Sequence, residues 1–217
     1  MIAVIGDLHN NYKGIKKYLS ENSVSIDFAL QVGDFGGNKM PYPEFPVPTY
    51  FIQGNHENWD GVEEIKAGRG PRNLHYLQNG SLSELGGLRV LSLGGNYAPS
   101  KYKLSRKQLE GDSRRHFVKE EVDQCCRVVS KVDIFISHEA PSPYHRYKVY
   151  KAGEDTGIKV VSNILRSVKP SLHFFGHHHN YQVYEAVPEV KSIGLPYGFH
   201  QIALLDPITL SFNVQNL

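Results

Sequence analysis

Five short apolar runs in this chain of 217 residues each end in an aspartate, asparagine or histidine, and four of them place a glycine just before it. Ile2–Ile5 runs into Gly6-Asp7-Leu8-His9, Phe28–Val32 into Gly33-Asp34, and Thr49–Gln53 into Gly54-Asn55-His56-Glu57. Ile134–Ser137 runs into His138-Glu139, and Leu172–Phe175 into Gly176-His177-His178-His179. Their Val, Ile, Phe and Tyr content and their Gly, Asn or Asp boundaries predict strands. Helices are expected between them at Tyr12–Ser20, Trp59–Ala67, Val118–Ser130 and Thr156–Val168, the last stopped before Pro170. Leu82–Val90 reads as a hairpin turning at Gly86-Gly87 and leading into a strand at Arg89–Leu93. The C-terminal part reads as all-β, with strands at Gln182–Val187, Phe199–Leu205 and Leu210–Val214. Alternating strands and helices followed by β-meanders predict two mixed sheets stacked face to face with helices outside.

Strand ends along one edge of an α/β sheet form the crevice where such folds take up ligands. A glycine there lets the backbone turn sharply and approach what is bound. Carboxylate, imidazole and amide oxygen are donors that suit divalent metals of intermediate softness. Asp7 and His9 are two apart, as are His177 and His179, so in extended chain each pair can address one centre. One Gly-Asp alone is ordinarily a turn, and one histidine at a strand end is ordinarily just hydrogen-bonded there. Five together have no packing reason, because gathering unpaired polar groups at one edge costs free energy. The joint reading is a metal site.

With those blocks laid out, the chain resembles the calcineurin-like metallophosphoesterase superfamily. That family's Gly-Asp-x-His, second Gly-Asp, Gly-Asn-His-Glu, lone His and Gly-His-x-His blocks occur here in order, from Gly6 to His179. The resemblance implies a four-layer αββα sandwich and a binuclear metal centre. Asp7, His9 and His179 are then expected to hold one metal, Asn55, His138 and His177 the second, and Asp34 to bridge both. The implied activity is a two-metal-dependent phosphoesterase, foremost a phosphodiesterase, in which a metal-bridging hydroxide attacks phosphorus in line. His56 is expected to face the leaving group as acid or electrostatic stabiliser. Mixed nitrogen and oxygen ligands admit Mn, Fe, Zn, Co or Ni, with Mn favoured.

The sequence departs from the family at one point. Many members carry an Asp or His three residues after the second Gly-Asp to orient the catalytic histidine, whereas Asp34-Phe35-Gly36-Gly37 places a glycine there. Glu57 or Asp60 could substitute. The Asp-Arg-Gly continuation of serine/threonine protein phosphatases is absent too. Phe51–Asn58, Gly94–Tyr97 and Asp133–Pro141 are similar to the catalytic domain of RNA lariat debranching enzymes. Those enzymes carry Cys where Asp7 stands, and a long C-terminal extension that is not expected here.

Charge points to where a substrate would lie. From Tyr97 to Lys151 twelve Lys/Arg face seven Asp/Glu, while the remainder holds twelve against fifteen. A basic and aromatic insert around 97–119 within a single domain spanning 1–217, together with Tyr144–Lys151, suits a phosphodiester backbone with stacked bases. A solvated helix and exposed loop is the plainer alternative. Asn10, Arg114, Arg115, His116 and Arg146 are the substrate-binding candidates. The partners expected are a phosphate ester and nucleic acid or nucleotide. Three other readings stand beside the phosphodiesterase: a nucleic-acid-processing nuclease, a phosphomonoesterase, and a catalytically silent scaffold of the same fold. No apolar run approaches the roughly 18 residues of a membrane helix, and no signal peptide is visible, so a cytoplasmic location is expected. Adjacent Cys125 and Cys126 are poor disulfide partners and too few for a zinc cage.

Overall fold

The computed structural model describes residues 1–37, 40–145 and 155–217. Within them the strands are β1 (Ile2–Ile5), β2 (Phe28–Gln31), β3 (Thr49–Phe51), β4 (Leu74–Tyr76), β5 (Leu82–Leu85), β6 (Leu88–Leu93), β7 (Ile134–Ser137), β8 (Leu172–Phe175), β9 (Gln182–Val187), β10 (Val190–Gly194), β11 (Gln201–Leu205) and β12 (Phe212–Asn216). The helices are α1 (Lys13–Glu21), α2 (Trp59–Lys66), α3 (Pro99–Tyr102), α4 (Lys119–Cys126) and α5 (Lys159–Val168).

Two six-stranded sheets result, ordered β12-β11-β1-β2-β3-β4 and β5-β6-β7-β8-β10-β9. In the first, β1 to β4 are parallel and β11 and β12 antiparallel. In the second, β6, β7, β8 and β10 are parallel, with antiparallel β5 and β9 at the edges.

The period of two along each strand builds the layers. Ile2 and Val4 of β1, Ile134 and Ile136 of β7, and Leu172 and Phe174 of β8 meet in one apolar layer between the sheets. The intervening Ala3 and Ile5 face outward onto Ile15 and Leu19 of α1 and Val62 and Ile65 of α2. On the far side Phe135 packs with Val122 and Cys125 of α4 and Val161, Ile164 and Leu165 of α5. Helix, sheet, sheet, helix is the four-layer αββα arrangement. Both cysteines are free thiols, Cys125 buried and Cys126 half-buried. No described helix is long and apolar enough to cross a membrane.

Most expected elements lie within a few residues of their observed bounds. The strands β4 and β10, each only three to five residues, carried too little alternation to stand out. Helix α5 begins at Lys159 rather than Thr156, because Asp155 first closes a turn, accepting from the Tyr144 and Gly157 N–H groups at 2.8 and 2.9 Å.

Candidate metal centre

The five motif-bearing strands belong to different sheets: β1, β2 and β3 to one, β7 and β8 to the other. Their C-terminal ends nonetheless open at the same rim of the sandwich, and the loops lock together through backbone. Asp34 O accepts from the Leu8 and His9 N–H groups, both at 2.9 Å. Asp34 Oδ1 accepts from His56 N at 2.7 Å, and both carboxylate oxygens of Asp7 accept from His177 N at 3.1 Å. Two glycines permit this closeness. A Cβ on Gly54 would run into the backbone N and carboxylate of Asp34, and one on Gly176 into the carboxylate of Asp7. His9, Asn10, Asp34, His177 and His179 all sit in the left-handed region, with φ between 45° and 67°. Asn, Asp and His tolerate that region better than other side chains, but each still costs about 1–3 kcal/mol. Strain gathered in three loops at one rim marks a site built for something other than packing.

Four ligand atoms from Asp7, His9, Asp34 and His179 lie within 4.8 Å of one another. His179 Nε2 is 2.8 Å from Asp7 Oδ2 and 3.2 Å from His9 Nε2, and His9 Nε2 is 3.7 Å from Asp34 Oδ2. A second group adjoins it through Asp34. His138 Nε2 lies 2.9 Å from Asn55 Oδ1 and 3.5 Å from Asp34 Oδ1, and the His138 and His177 rings stand 5.0 Å apart. His138 Nδ1 is 3.0 Å from Val32 O, a partner that can only accept. Nδ1 therefore carries the proton, and in the neutral ring Nε2 is an acceptor. An acceptor nitrogen pressed against two acceptor oxygens calls for a cation or a proton between them.

The proton affinities agree. Burial alone would lower His138, but the negative Asp34 and Asp7 outweigh it and hold the imidazole above its ordinary range. Burial pushes Asp7 up, yet the His179 hydrogen bond, the His138 charge and the His177 N–H bring it below the usual carboxylate range. Burial and the nearby His138 drive His177 down to about 2, and burial lowers His9 against the pull of Asp34 and Asp7. His9 and His177 thus present neutral rings at pH 7, as metal ligation needs. The donor chemistry of both groups fits divalent metals. Tyr197, from the β10–β11 connection, stacks on His179 with ring centroids 4.0 Å apart and meets the edge of His9 at 5.9 Å. Sequence reasoning missed it, because nothing in its local pattern points to the rim.

His56 is exposed and its ring stands 5.8 Å from that of His9. Neither acidic candidate orients it. Glu57 is buried and accepts from the N–H groups of Phe35, Gly36 and Gly54, each at 3.0 Å, and from Tyr42 Oη at 2.5 Å. It therefore ties the Asp34 loop to the Asn55 loop. Asp60 instead receives Arg114 Nη2 at 3.1 Å.

A cleft of about 500 Å³ lies against these loops, lined by His9, Asn55 and His56 and also by Asn10, Trp59, Arg114 and Arg115. The two arginines come from the 3-10 turn Gly111–Arg115. Two further cations of the basic insert are engaged elsewhere. Arg106 forms a two-pronged ion pair with Glu121 at 2.8 and 2.7 Å, and Lys119 pairs with Asp123 at 2.7 Å. Its aromatic rings, Tyr97, Tyr102 and Phe117, pack on one another over the α4 side of the sheet, so they do not offer stacking surfaces to the cleft. His116 is nearly buried behind the wall, with Arg115 Nε 3.5 Å from its Nε2. Arg146 lies outside the described residues.

The family model of calcineurin-like phosphoesterases matches residues 1–181. Among individual proteins, the chain is 25% identical over 220 residues to a lariat debranching enzyme of Arabidopsis thaliana, covering 80% of this chain and 52% of that protein. It is 26% identical over 173 residues to the lariat debranching enzyme of Schizosaccharomyces pombe, covering 69% of this chain and 36% of that protein. The chain thus spans about half the length, or less, of these relatives. In structure it resembles the protein TT1561 of Thermus thermophilus, with a TM-score of 0.68 at 14% identity over 99% of this chain and 97% of that one. A novel archaeal phosphodiesterase superposes with a TM-score of 0.54 at 13% identity, over 100% of this chain and 99% of that one. At such identities the likeness extends to the fold.

Proposed function

The chain belongs to the calcineurin-like phosphoesterase family, and on that premise we propose that it is a two-metal-dependent phosphoesterase acting on a phosphodiester. The observation that carries this is the meeting of acceptors: His138 Nε2 against Asn55 Oδ1 and Asp34 Oδ1, beside Asp7, His9 and His179. Two cations resolve what would otherwise be mutual repulsion in a buried place.

Asp7, His9 and His179 would hold one ion, Asn55, His138 and His177 the other, with Asp34 shared, and Mn is the favoured metal. Bound ions of this kind lower the pKa of water and polarise phosphoryl oxygens. The remaining work falls to the chain. Asp34 fixes the backbone of His56 at 2.7 Å and so sets the ring at the cleft, where it can donate a proton to the departing oxygen. Asn10 and Arg115, lining the same cleft, offer donors to the substrate's phosphate oxygens. A catalytically silent scaffold has less support, since all seven ligand positions and His56 are kept.

A nuclease or nucleotide-processing reading is favoured by a separate observation. Of the insert's many cations, two line the cleft itself, and the relatives found include lariat debranching enzymes.

The test is hydrolysis of bis-p-nitrophenyl phosphate and p-nitrophenyl phosphate by protein stripped of metal and then given Mn²⁺. Mn-dependent turnover, faster on the diester, is expected. Faster turnover of the monoester would make it a phosphatase. No turnover of either with two ions bound would overturn the enzyme reading.

A further inference from the structure

Trp59 is the chain's sole tryptophan and, histidines aside, the one aromatic among the described residues that lines the cleft. It opens α2 three residues after His56 and is half-buried. The helix does not need it for packing, because its buried contacts come from Val62 and Ile65. The cap is supplied by Asn58, whose Oδ1 accepts from Gly61 N at 3.1 Å. Among the described residues no other ring and no cation stacks on the indole, although Tyr97, Tyr102 and Phe117 of the neighbouring insert find one another. A large apolar face is thus left open in a wall that is otherwise polar.

Its neighbours on that wall differ in what they have left to give. Arg114 is held by Asp60 Oδ1 and by Gly111 O, each at 3.1 Å. Among the described residues Arg115 has only the 3.5 Å approach to His116 Nε2, so most of its guanidinium donors remain for an incoming group. A flat π-face and a guanidinium beside a phosphate-ester centre match the two halves of a nucleotide: a base that stacks and a phosphate that is paired. The cleft's volume of about 500 Å³ lies within the range of about 300–1,000 Å³ that ligand pockets occupy.

We propose that Trp59 is the stacking platform for a nucleobase carried on one arm of the scissile phosphate, with Arg115 pairing a phosphate oxygen. The substrate class is then a nucleotide ester, and the preference for a base-bearing substrate over a base-free one arises at Trp59. This rests on the phosphoesterase reading above.

The sole tryptophan makes the test direct. Adenosine 5′-monophosphate and ribose 5-phosphate differ by the base alone, and each is titrated into the metal-loaded protein. Indole fluorescence and competition against bis-p-nitrophenyl phosphate are read together. The nucleotide should quench the indole and bind about 5- to 150-fold tighter than the sugar phosphate, the range expected for one stacked base. Trp59→Ala should erase that ratio and leave ribose 5-phosphate binding in place, while Trp59→Phe should restore most of it. Equal affinities with unmoved fluorescence would overturn the stacking role while Mn-dependent turnover kept the esterase. So would a loss in Trp59→Ala that falls equally on both probes. Quenching by the nucleotide in a protein without any esterase turnover would keep Trp59 and sink the parent reading.

Discussion

Replacing Glu57 by Gln pits two physical effects against each other. Burial and the negative charge of Asp34 push the Glu57 carboxyl up from 4.5 to about 7, against four donors that favour its ionised form. In the metal-free protein the folded state therefore keeps a proton that the unfolded chain has already lost. The stabilisation is fully present below pH 4.5 and disappears as pH rises through about 7. The difference between the two values is worth on the order of 3 kcal/mol. Gln cannot titrate, and its amide faces the Gly36 N–H that a carboxylate oxygen accepts from in the parent. That adds a destabilising offset of about 1–3 kcal/mol that does not vary with pH. Urea unfolding of both metal-free proteins between about pH 4.5 and 8 should show the parent losing about 3 kcal/mol relative to Glu57→Gln. Adding metal should flatten the slope, because cations beside Asp34 cancel the charge that raises Glu57. A difference that stays level or grows with pH would refute the reasoning. It would mean the four donors dominate and Glu57 is an ionised clamp throughout.

Other perturbations separate the roles at the rim. His56→Ala should keep both metals, counted by elemental analysis, and lose about 10²- to 10⁴-fold in turnover; Asp34→Ala should lose metal as well, and full activity in either contradicts the assignment. Gly54→Ala forces a methyl into the Asp34 backbone and carboxylate, so a loss of about 1–3 kcal/mol in thermal or urea unfolding, with weakened metal binding, is expected. Because Asp34 and Asp7 hold His138 above its ordinary range, part of its population carries a proton near neutral pH. Metal uptake should therefore release protons, read by calorimetry in buffers of different ionisation enthalpy. It should also weaken as pH falls; affinity independent of pH between about 6 and 8 would argue against His138 as a ligand.

Much of this protein can be read along its chain. The strand ends at Asp7, Asp34, Asn55, His138 and His177 announce themselves because each apolar run stops at a ligand-type side chain, a local signal. The αββα layering follows from the period of two in strands such as Ile2–Ile5 and Ile134–Ser137, which are apolar on both faces and must be covered on both. The insert was harder. Its basic and aromatic composition suggested a binding surface, yet Phe117 is fully buried, Arg106 is paired with Glu121, and only the turn holding Arg114 and Arg115 reaches the cleft. Composition counts side chains but does not tell which way they face. Glu57 sat inside a recognised block, but four donors from three separate segments had to assemble before its task as a clamp could be seen.

By itself, the sequence determined most of the elements, their layers and the list of metal-ligand candidates, because each depends on spacing within a few residues. Tertiary structure alone decided that β7 and β8 bring His138 and His177 against Asp34 and Asp7 from another sheet. It also decided that Tyr197 covers His179 and that Trp59 stands open in the cleft. Those juxtapositions join residues as many as 170 positions apart, and only the packing of one sheet on the other specifies such distances.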